Sequence, residues 1–350
     1  MELLIFVMML STPWSLPSCT LMTLCARSDG CNDVIESNVF EQLENSKDAV
    51  FMFKLRHGNE AWKLAVEAID TNVRMSITID NPVSRAYFKL TEIIRTCAIP
   101  QAAKSFHMCE APGGFVQAVF EEFNNVDVHC SSKIGEHNAC FSPVIKRQGA
   151  TIHTFQNNDI LNEEIRMALA NSIGMQSCQL ITADGANDND LRPDMVEEDS
   201  AMLIASEIKL ASTLQAPGGC FVLKVFGLRL HITWELIATL CHMYTLVQIV
   251  KPFTSRVVND ERYVVCSGFK IEKKIDLHLP IGSKLTRLCK LDTQWFEAAK
   301  EIAIQMAYVQ HRHLQLALCH TSNIPRGRRI AGRGRSRGRG GKGGVGKRSF

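Results

Sequence analysis

Residues 104–123 read KSFHMCEAPGGFVQAVFEEF, and this stretch sets the reading of the whole chain. Residues 105–109 form an apolar run of strand length, which meets a Gly-rich turn at 112–114. A helical pattern then continues to about residue 123. A strand passing through a glycine turn into a helix is the first half of a βαβ unit. The alternation repeats downstream. Short strands are predicted at 126–130 and 150–155, with buried-strand runs at 178–183 (CQLITA), 219–226 (GCFVLKVF), 244–250 and 262–269 (RYVVCSGF). Helical stretches separate them, the longest over 195–214. Seven strands in this order predict an α/β fold whose mostly parallel central sheet is flanked by helices and binds ligands at the carboxyl ends of its strands.

Working outward, residues 36–80 carry helical patterning, with Trp62, Leu64, Ala65, Ala68 and Ile69 set between Glu and Lys. Asn81-Pro82 punctuates the chain, and Ser84 is placed to cap a helix running to about Thr96. Tyr87, Leu90 and Ile94 share one face of that helix, and Arg85 and Lys89 share another. Residues 1–35 read as a leader, 81–270 as the α/β domain, 271–325 as further helical decoration and 326–350 as a tail.

The tail changes the meaning of the charge. The formal net charge is +3, but residues 326–350 hold ten Lys/Arg, nine Gly and no acid. Residues 1–325 therefore carry 29 basic against 36 acidic residues, a net of −7. An acidic body of this size, in a chain with 46% hydrophobic residues, excludes a mini-protein, a wholly disordered chain and a coiled coil. The Arg/Gly stretch Arg333–Arg339 lacks apolar residues to fold, and the tail is predicted to be disordered.

Thirteen cysteines are scattered with no C-x-x-C pair, which reads as free thiols in a reducing compartment, cytoplasmic or nuclear. His311, His313, Cys319 and His320 come nearest to a metal cluster, but a polar helix end is the preferred reading, and no metal is expected. Residues 3–10 (LLIFVMML) are wholly apolar. However, Glu2 replaces the basic start of a signal peptide, and Pro13 and Pro17 interrupt any spanning helix, so membrane or secretory targeting is not the expectation.

Four features carry chemistry. Glu110-Ala-Pro-Gly-Gly-Phe115 offers a close backbone approach and free N–H donors at a helix start. It lacks the G-x-G-x-x-G spacing of a dinucleotide site. Asp184 ends the most apolar strand. Lys224 lies inside Phe221-Val-Leu-Lys-Val-Phe226, where it either snorkels or works with a lowered pKa. Glu261 opens the last apolar strand. Each alone has an ordinary structural explanation.

Taken in order, these motifs resemble the FtsJ-like ribose 2′-O-methyltransferases, which use S-adenosylmethionine. The resemblance covers roughly residues 81–270. It rests on Ser84-Arg-Ala-Tyr-Phe-Lys89-Leu, the Glu-Ala-Pro-Gly-Gly-Phe loop, Asp184, Lys224, and Lys251-Pro…Ser255-Arg…Asn259-Asp-Glu261-Arg-Tyr. It implies a Rossmann-like methyltransferase fold and a catalytic tetrad of Lys89, Asp184, Lys224 and Glu261. Lys224, desolvated and beside Lys89, is the expected general base for the ribose hydroxyl, and no metal is needed. The resemblance further implies cofactor contacts from Glu110, Pro112, Gly113, Gly114, Phe115, Asp159 and Asp184. Asp159 stands where the family bonds the adenine amino group, with a helix N-cap as the alternative. Where many bacterial relatives carry Asp, this chain has His107, so the carboxylate duty falls to Glu110 or is missing.

The loop and the Ser-Arg-Ala-Tyr-Phe-Lys helix look more like mRNA-cap enzymes than ribosomal RNA enzymes. The expected partner is therefore capped mRNA, with ribosomal or transfer RNA as the alternative and an inactive RNA-binding module as a third reading. Expected RNA contacts are Arg85, Lys251, Ser255 and Arg256, with Arg333, Arg335, Arg337 and Arg339 of the tail attracting polyanionic RNA without reading its sequence.

Overall fold

A computed structural model describes residues 13–17, 24–27, 33–69, 81–135, 140–186, 195–280 and 284–321. Its centre is an eight-stranded sheet. The strands in chain order are β1 (Trp14–Leu16), β3 (Lys104–Met108), β4 (Asp127–Ser131), β5 (Thr151–Ile152), β6 (Cys178–Ala183), β7 (Gln215–Phe226), β8 (Tyr244–Val250) and β9 (Glu261–Phe269). A separate pair joins β2 (Leu24–Arg27) to β10 (Arg287–Cys289). Across the main sheet the order is β1-β8-β9-β7-β6-β3-β4-β5. Strands β3 to β8 run one way, and only β9 and the edge strand β1 oppose them.

The seven expected strands are all present. The eighth is a finding: β1, within the leader, pairs antiparallel with β8, and Trp295 donates from Nε1 to the Pro17 carbonyl at 3.0 Å. Nothing in the three residues Trp14-Ser15-Leu16 distinguishes an edge strand from a leader until a partner is available.

The helices are α1 (Asn38–Ile69, kinked at Gly58), α2 (Ala86–Thr96), α3 (Gly114–Glu122), α4 (Pro143–Arg147), α5 (Glu163–Ile173), α6 (Val196–Leu214), α7 (His231–Met243) and α8 (Thr293–Thr321). α1 and α8 pack on each other. Residues 271–280 form a 3₁₀ turn and loop, and β10 precedes α8, so the helical part of the expected decoration is α8.

Strand periodicity divides the core. Phe106, Met108, Ile181, Phe221, Leu223 and Val264 face a cluster that includes α5, α6 and α7. Leu180, Cys220, Val222, Tyr263 and Val265 face the opposite cluster, built on α2, α3 and α4. This parity builds the site. Lys224 is two residues beyond Val222 and is registered against Tyr263, while Phe226 is registered against Glu261. Lys224 and Glu261 therefore point to the face that α2 covers. Among the described residues, no helix is long and apolar enough to cross a membrane; residues 3–10 lie outside the described part. No disulfide joins Cys97, Cys109, Cys130, Cys140, Cys178, Cys220, Cys241, Cys266, Cys289 or Cys319.

Candidate active site

β3 is flanked by β4 on one side and β6 on the other, so the strand order reverses between β3 and β6. The carboxyl ends of the strands at such a reversal leave a crevice. Glu110 follows β3 there and Asp184 follows β6, with the Asp184 amide donating to the Met108 carbonyl at 3.3 Å.

The four expected tetrad residues converge. Lys224 Nζ lies 3.2 Å from Asp184 Oδ1 and donates to the Asp184 carbonyl at 2.6 Å. Lys89 Nζ lies 2.8 Å from one Glu261 oxygen and 2.9 Å from the other. All four side chains are between 7% and 16% exposed, so solvent screens these pairs poorly.

Electrostatics overturn one expectation. Burial acts to lower the Lys224 pKa, but Asp184 and then Glu261 outweigh it, and the ammonium is held above the ordinary lysine range. The sequence shows the desolvation but not the carboxylates that converge on it. Glu261 is pulled down to about 2: burial opposes ionisation, and Lys89, Lys251 and Lys224 overcome it.

The Glu110 loop is built tightly. Glu110 is buried, and its Oε1 accepts the Phe115 amide at 2.5 Å. Its Oε2 has no hydrogen-bond partner. Burial, then the nearby Asp184 charge, pushes the carboxyl well above its usual range. The carboxylate at this strand end is thus that of Glu110, whereas His107 is spent inside the sheet on Thr182 (2.8 Å) and Ser105 (2.9 Å).

The two loop glycines serve the protein's own packing. Gly113 has φ 111°, and a Cβ there would sit 2.7 Å from Ile145 Cδ1. A Cβ on Gly114 would sit 2.2 Å from Ser84 Oγ and 2.8 Å from the Tyr87 amide. Glycine is therefore required at 114 by the approach of the α2 start, which sequence reading assigned to a ligand. The Phe115 side chain is likewise a core group, fully buried with its ring 5.9 Å from that of Tyr263.

Three neighbours of these pairs carried no assigned role in the sequence. Tyr263 donates its hydroxyl to Asp184 Oδ1 at 2.9 Å. Glu92, three residues after Lys89 on α2, accepts bonds from Phe253 and Thr254. Glu207 of α6 is 1% exposed and packs against the Asp184–Gly185 turn, where a Cβ on Gly185 would meet its Oε1 at 2.3 Å. Glu92 had a signal in its i, i+3 spacing from Lys89; the other two are visible only once strands are paired.

Glu207 gives a stability prediction. Burial raises its carboxyl from 4.5 to about 8. A carboxyl raised on folding makes the fold less stable as pH climbs between those two values. Glu207→Gln cannot ionise, so its melting temperature relative to wild type should increase from about pH 5 to about pH 8. Thermal unfolding at stepped pH checks this, and a constant offset would contradict it.

The FtsJ-like methyltransferase family matches residues 82–269, more than half of the chain. The chain belongs to this family. The matched residues include Lys89, Asp184, Lys224 and Glu261. Among relatives, a cap-specific mRNA (nucleoside-2′-O-)-methyltransferase 2 from Danio rerio is 30% identical over 58% of this chain and 30% of its own length. The protein of the same name from Pongo abelii is 29% identical over 79% of this chain and 38% of its own. An AdoMet-dependent rRNA methyltransferase spb1 from Neurospora crassa is 29% identical over 55% and 22%. The chain thus spans well under half the length of these relatives.

The remaining residues of the FtsJ-like region separate by burial. Asp159 follows β5, is ion-paired with Lys133 at 2.8 Å and accepts the Leu161 amide at 3.0 Å. It does not cap α5, because Asn162 does. Arg256 is exposed and Arg85 half-buried. Lys251 and Ser255 were expected at RNA but are turned inward. Lys251 is 5% exposed and donates to the Asn259 carbonyl at 3.0 Å, to Asn259 Oδ1 and to the Glu261 carbonyl at 2.7 Å. Burial, then Arg262, pushes its pKa well below the lysine range. Ser255 is fully buried and donates to Glu261 Oε1 at 2.8 Å. Both polar groups are consumed in shaping the loop that presents Glu261. Arg333, Arg335, Arg337 and Arg339 lie outside the described residues. His311 meets Ser46 at 2.9 Å and His313 meets the Val309 carbonyl at 2.9 Å, so both are engaged in helix contacts.

Proposed function

We propose that this chain is an S-adenosylmethionine-dependent RNA ribose 2′-O-methyltransferase acting on the cap-adjacent nucleotide of mRNA. The observation that carries the reading is the convergence of two buried lysine–carboxylate pairs at the strand-order reversal. The names of the cap-specific relatives support the choice of RNA, and the spb1 relative supports ribosomal RNA as the second reading.

The fit to the cofactor rests on Glu110. A fully buried carboxyl with one unpartnered oxygen, next to Asp184, suits a ligand that brings hydrogen-bond donors or positive charge. Glu110, Pro112, the Gly113–Gly114 backbone, Asp159 and Asp184 would hold S-adenosylmethionine. When bound, it supplies an electrophilic methyl group on a positively charged sulfur. The chain's own residues do the rest. Lys89 and Lys224 orient the ribose hydroxyl, Asp184 and Glu261 orient the lysines, and Tyr263 holds Asp184. Lys224, once deprotonated, accepts the hydroxyl proton at Nζ. Alignment of hydroxyl and methyl group is a large share of the rate enhancement.

Because the carboxylates hold Lys224 as an ammonium, the reactive fraction grows with pH. Methyl transfer under saturating substrate should therefore rise close to tenfold per pH unit between about pH 7 and pH 9. A flat profile would mean that Lys224 acts only as a cation. The function is tested with methyl-labelled cofactor on capped and uncapped transcripts, followed by digestion and identification of the labelled nucleotide. Label on no RNA defeats the reading, and label on ribosomal or uncapped RNA alone replaces the cap assignment.

The basic tail is proposed to concentrate RNA at the body. Deleting residues 326–350 should raise the RNA KM at low salt and weaken the salt dependence, with a smaller effect on turnover. Unchanged salt dependence would defeat this role.

A further inference from the structure

The contact between Lys89 and Glu261 joins two elements that are far apart in the chain, α2 and the start of β9. A second polar contact joins the same two regions. Glu92 lies one helical turn after Lys89, so both side chains leave the same stretch of α2. Its Oε1 accepts the Phe253 amide at 2.7 Å, and its Oε2 accepts the Thr254 amide at 2.9 Å and the Thr254 hydroxyl at 2.8 Å. Both carboxylate oxygens are therefore committed to the loop between β8 and β9.

That loop presents Glu261. Ser255, next to Thr254, donates to Glu261 Oε1 at 2.8 Å, and its amide bonds the Pro252 carbonyl at 3.0 Å. Lys251 ties the far end of the loop down through Asn259 and the Glu261 carbonyl. The contacts close a ring: Lys89 to Glu261, Glu261 to Ser255, Thr254 to Glu92, and Glu92 back to Lys89 along one turn of helix. Three bonds to one carboxylate are charge-assisted and directional, and fix the loop more firmly than a single ion pair does.

We infer that Glu92 is a positioning residue for this site, gripping Phe253 and Thr254 so that Glu261 stays opposed to the Lys89 ammonium. The inference rests on the proposed function for its catalytic meaning, but the grip itself is testable without catalysis. Glu92 does not reach the reacting atoms in this scheme. It acts through Thr254, Ser255 and Glu261 to fix where Lys89 points.

The test uses the full chain with Glu92→Ala and Glu92→Gln, the latter keeping the size and one acceptor oxygen if the alanine variant does not fold. Lys89 reactivity toward acetic anhydride is read by mass spectrometry, with Lys133 as an internal control. The Lys89 side chain is 13% exposed beside Glu261, and loosening Glu261 uncovers its amine, so Lys89 acetylation should rise by roughly tenfold in Glu92→Ala and less in Glu92→Gln, with Lys133 unchanged. In the same variants kcat should fall by about 10–100-fold while cofactor affinity holds. Unchanged Lys89 acetylation in a folded variant overturns the inference, as does a loss of activity that only follows the loss of folded protein. If wild-type protein methylates no RNA but its Lys89 labelling still depends on Glu92, the proposed function fails and the grip stands.

Discussion

Lys224→Ala is expected to lower methyl transfer by about 10²–10⁴-fold, the range over which a positioned acid–base group contributes. The side chain stands in an apolar strand, 3.2 Å from Asp184, and is 7% exposed. Its removal takes away the proton acceptor and the cation that balances Asp184, which keeps Tyr263 as its hydroxyl donor. Lys224→Arg separates the two roles. A guanidinium preserves the charge but does not deprotonate in proteins, so it should restore stability without restoring the rate. Single-turnover methyl transfer and thermal unfolding of both variants, side by side, check the assignment. An active Lys224→Arg enzyme would move the base elsewhere and leave Lys224 as a charge that orients the hydroxyl.

Gly114→Ala is expected to damage folding and activity together. The added methyl group would stand 2.2 Å from Ser84 Oγ, 2.8 Å from the Tyr87 amide and 3.0 Å from Ala86 Cβ. Ser84 Oγ can rotate away, but the Tyr87 amide belongs to the first turn of α2 and moves only with the helix. Overpacking of this kind costs about 1–3 kcal/mol. The displaced helix is also the one that carries Lys89 and Glu92. A shift of about 1 Å at a reacting group is enough to cost roughly 100-fold in rate. Melting temperature and kcat should therefore fall in one variant whose substitution touches no reacting atom. Wild-type kcat in Gly114→Ala would show that the α2 start tolerates the shift.

Much of this architecture was legible in the chain. Strand–glycine turn–helix at 104–123, apolar runs at 178–183 and 219–226 and the break at Asn81-Pro82 are local signals, and each strand appeared within a few residues of its expected place. Periodicity of two also carries the face assignment: once Val222 is known to be buried under α2, Lys224 must follow it. The four residues of the proposed tetrad are implied by a family resemblance carried by four ordered motifs, each weak alone.

Other features depend on which segments meet, and nothing local encodes that. Strand order, and with it the reversal between β3 and β6, comes from pairing across long separations. Lys251 and Ser255 looked like surface groups ready for RNA, and became internal supports because the β8–β9 loop folds back on α2. The three-residue β1 acquired its identity from β8.

The charge state of Lys224 marks the boundary most clearly. Its apolar flanks are written in the chain, and from them a lowered pKa follows. The carboxylates that reverse the direction come from the end of β6 and the start of β9, 40 and 37 residues away. Desolvation is a property of a residue's neighbours in sequence and packing layer, so a linear reading captures it. Coulomb energy depends on the distance between charges, and in a buried site that distance exists only after the strands have paired and α2 has closed over them.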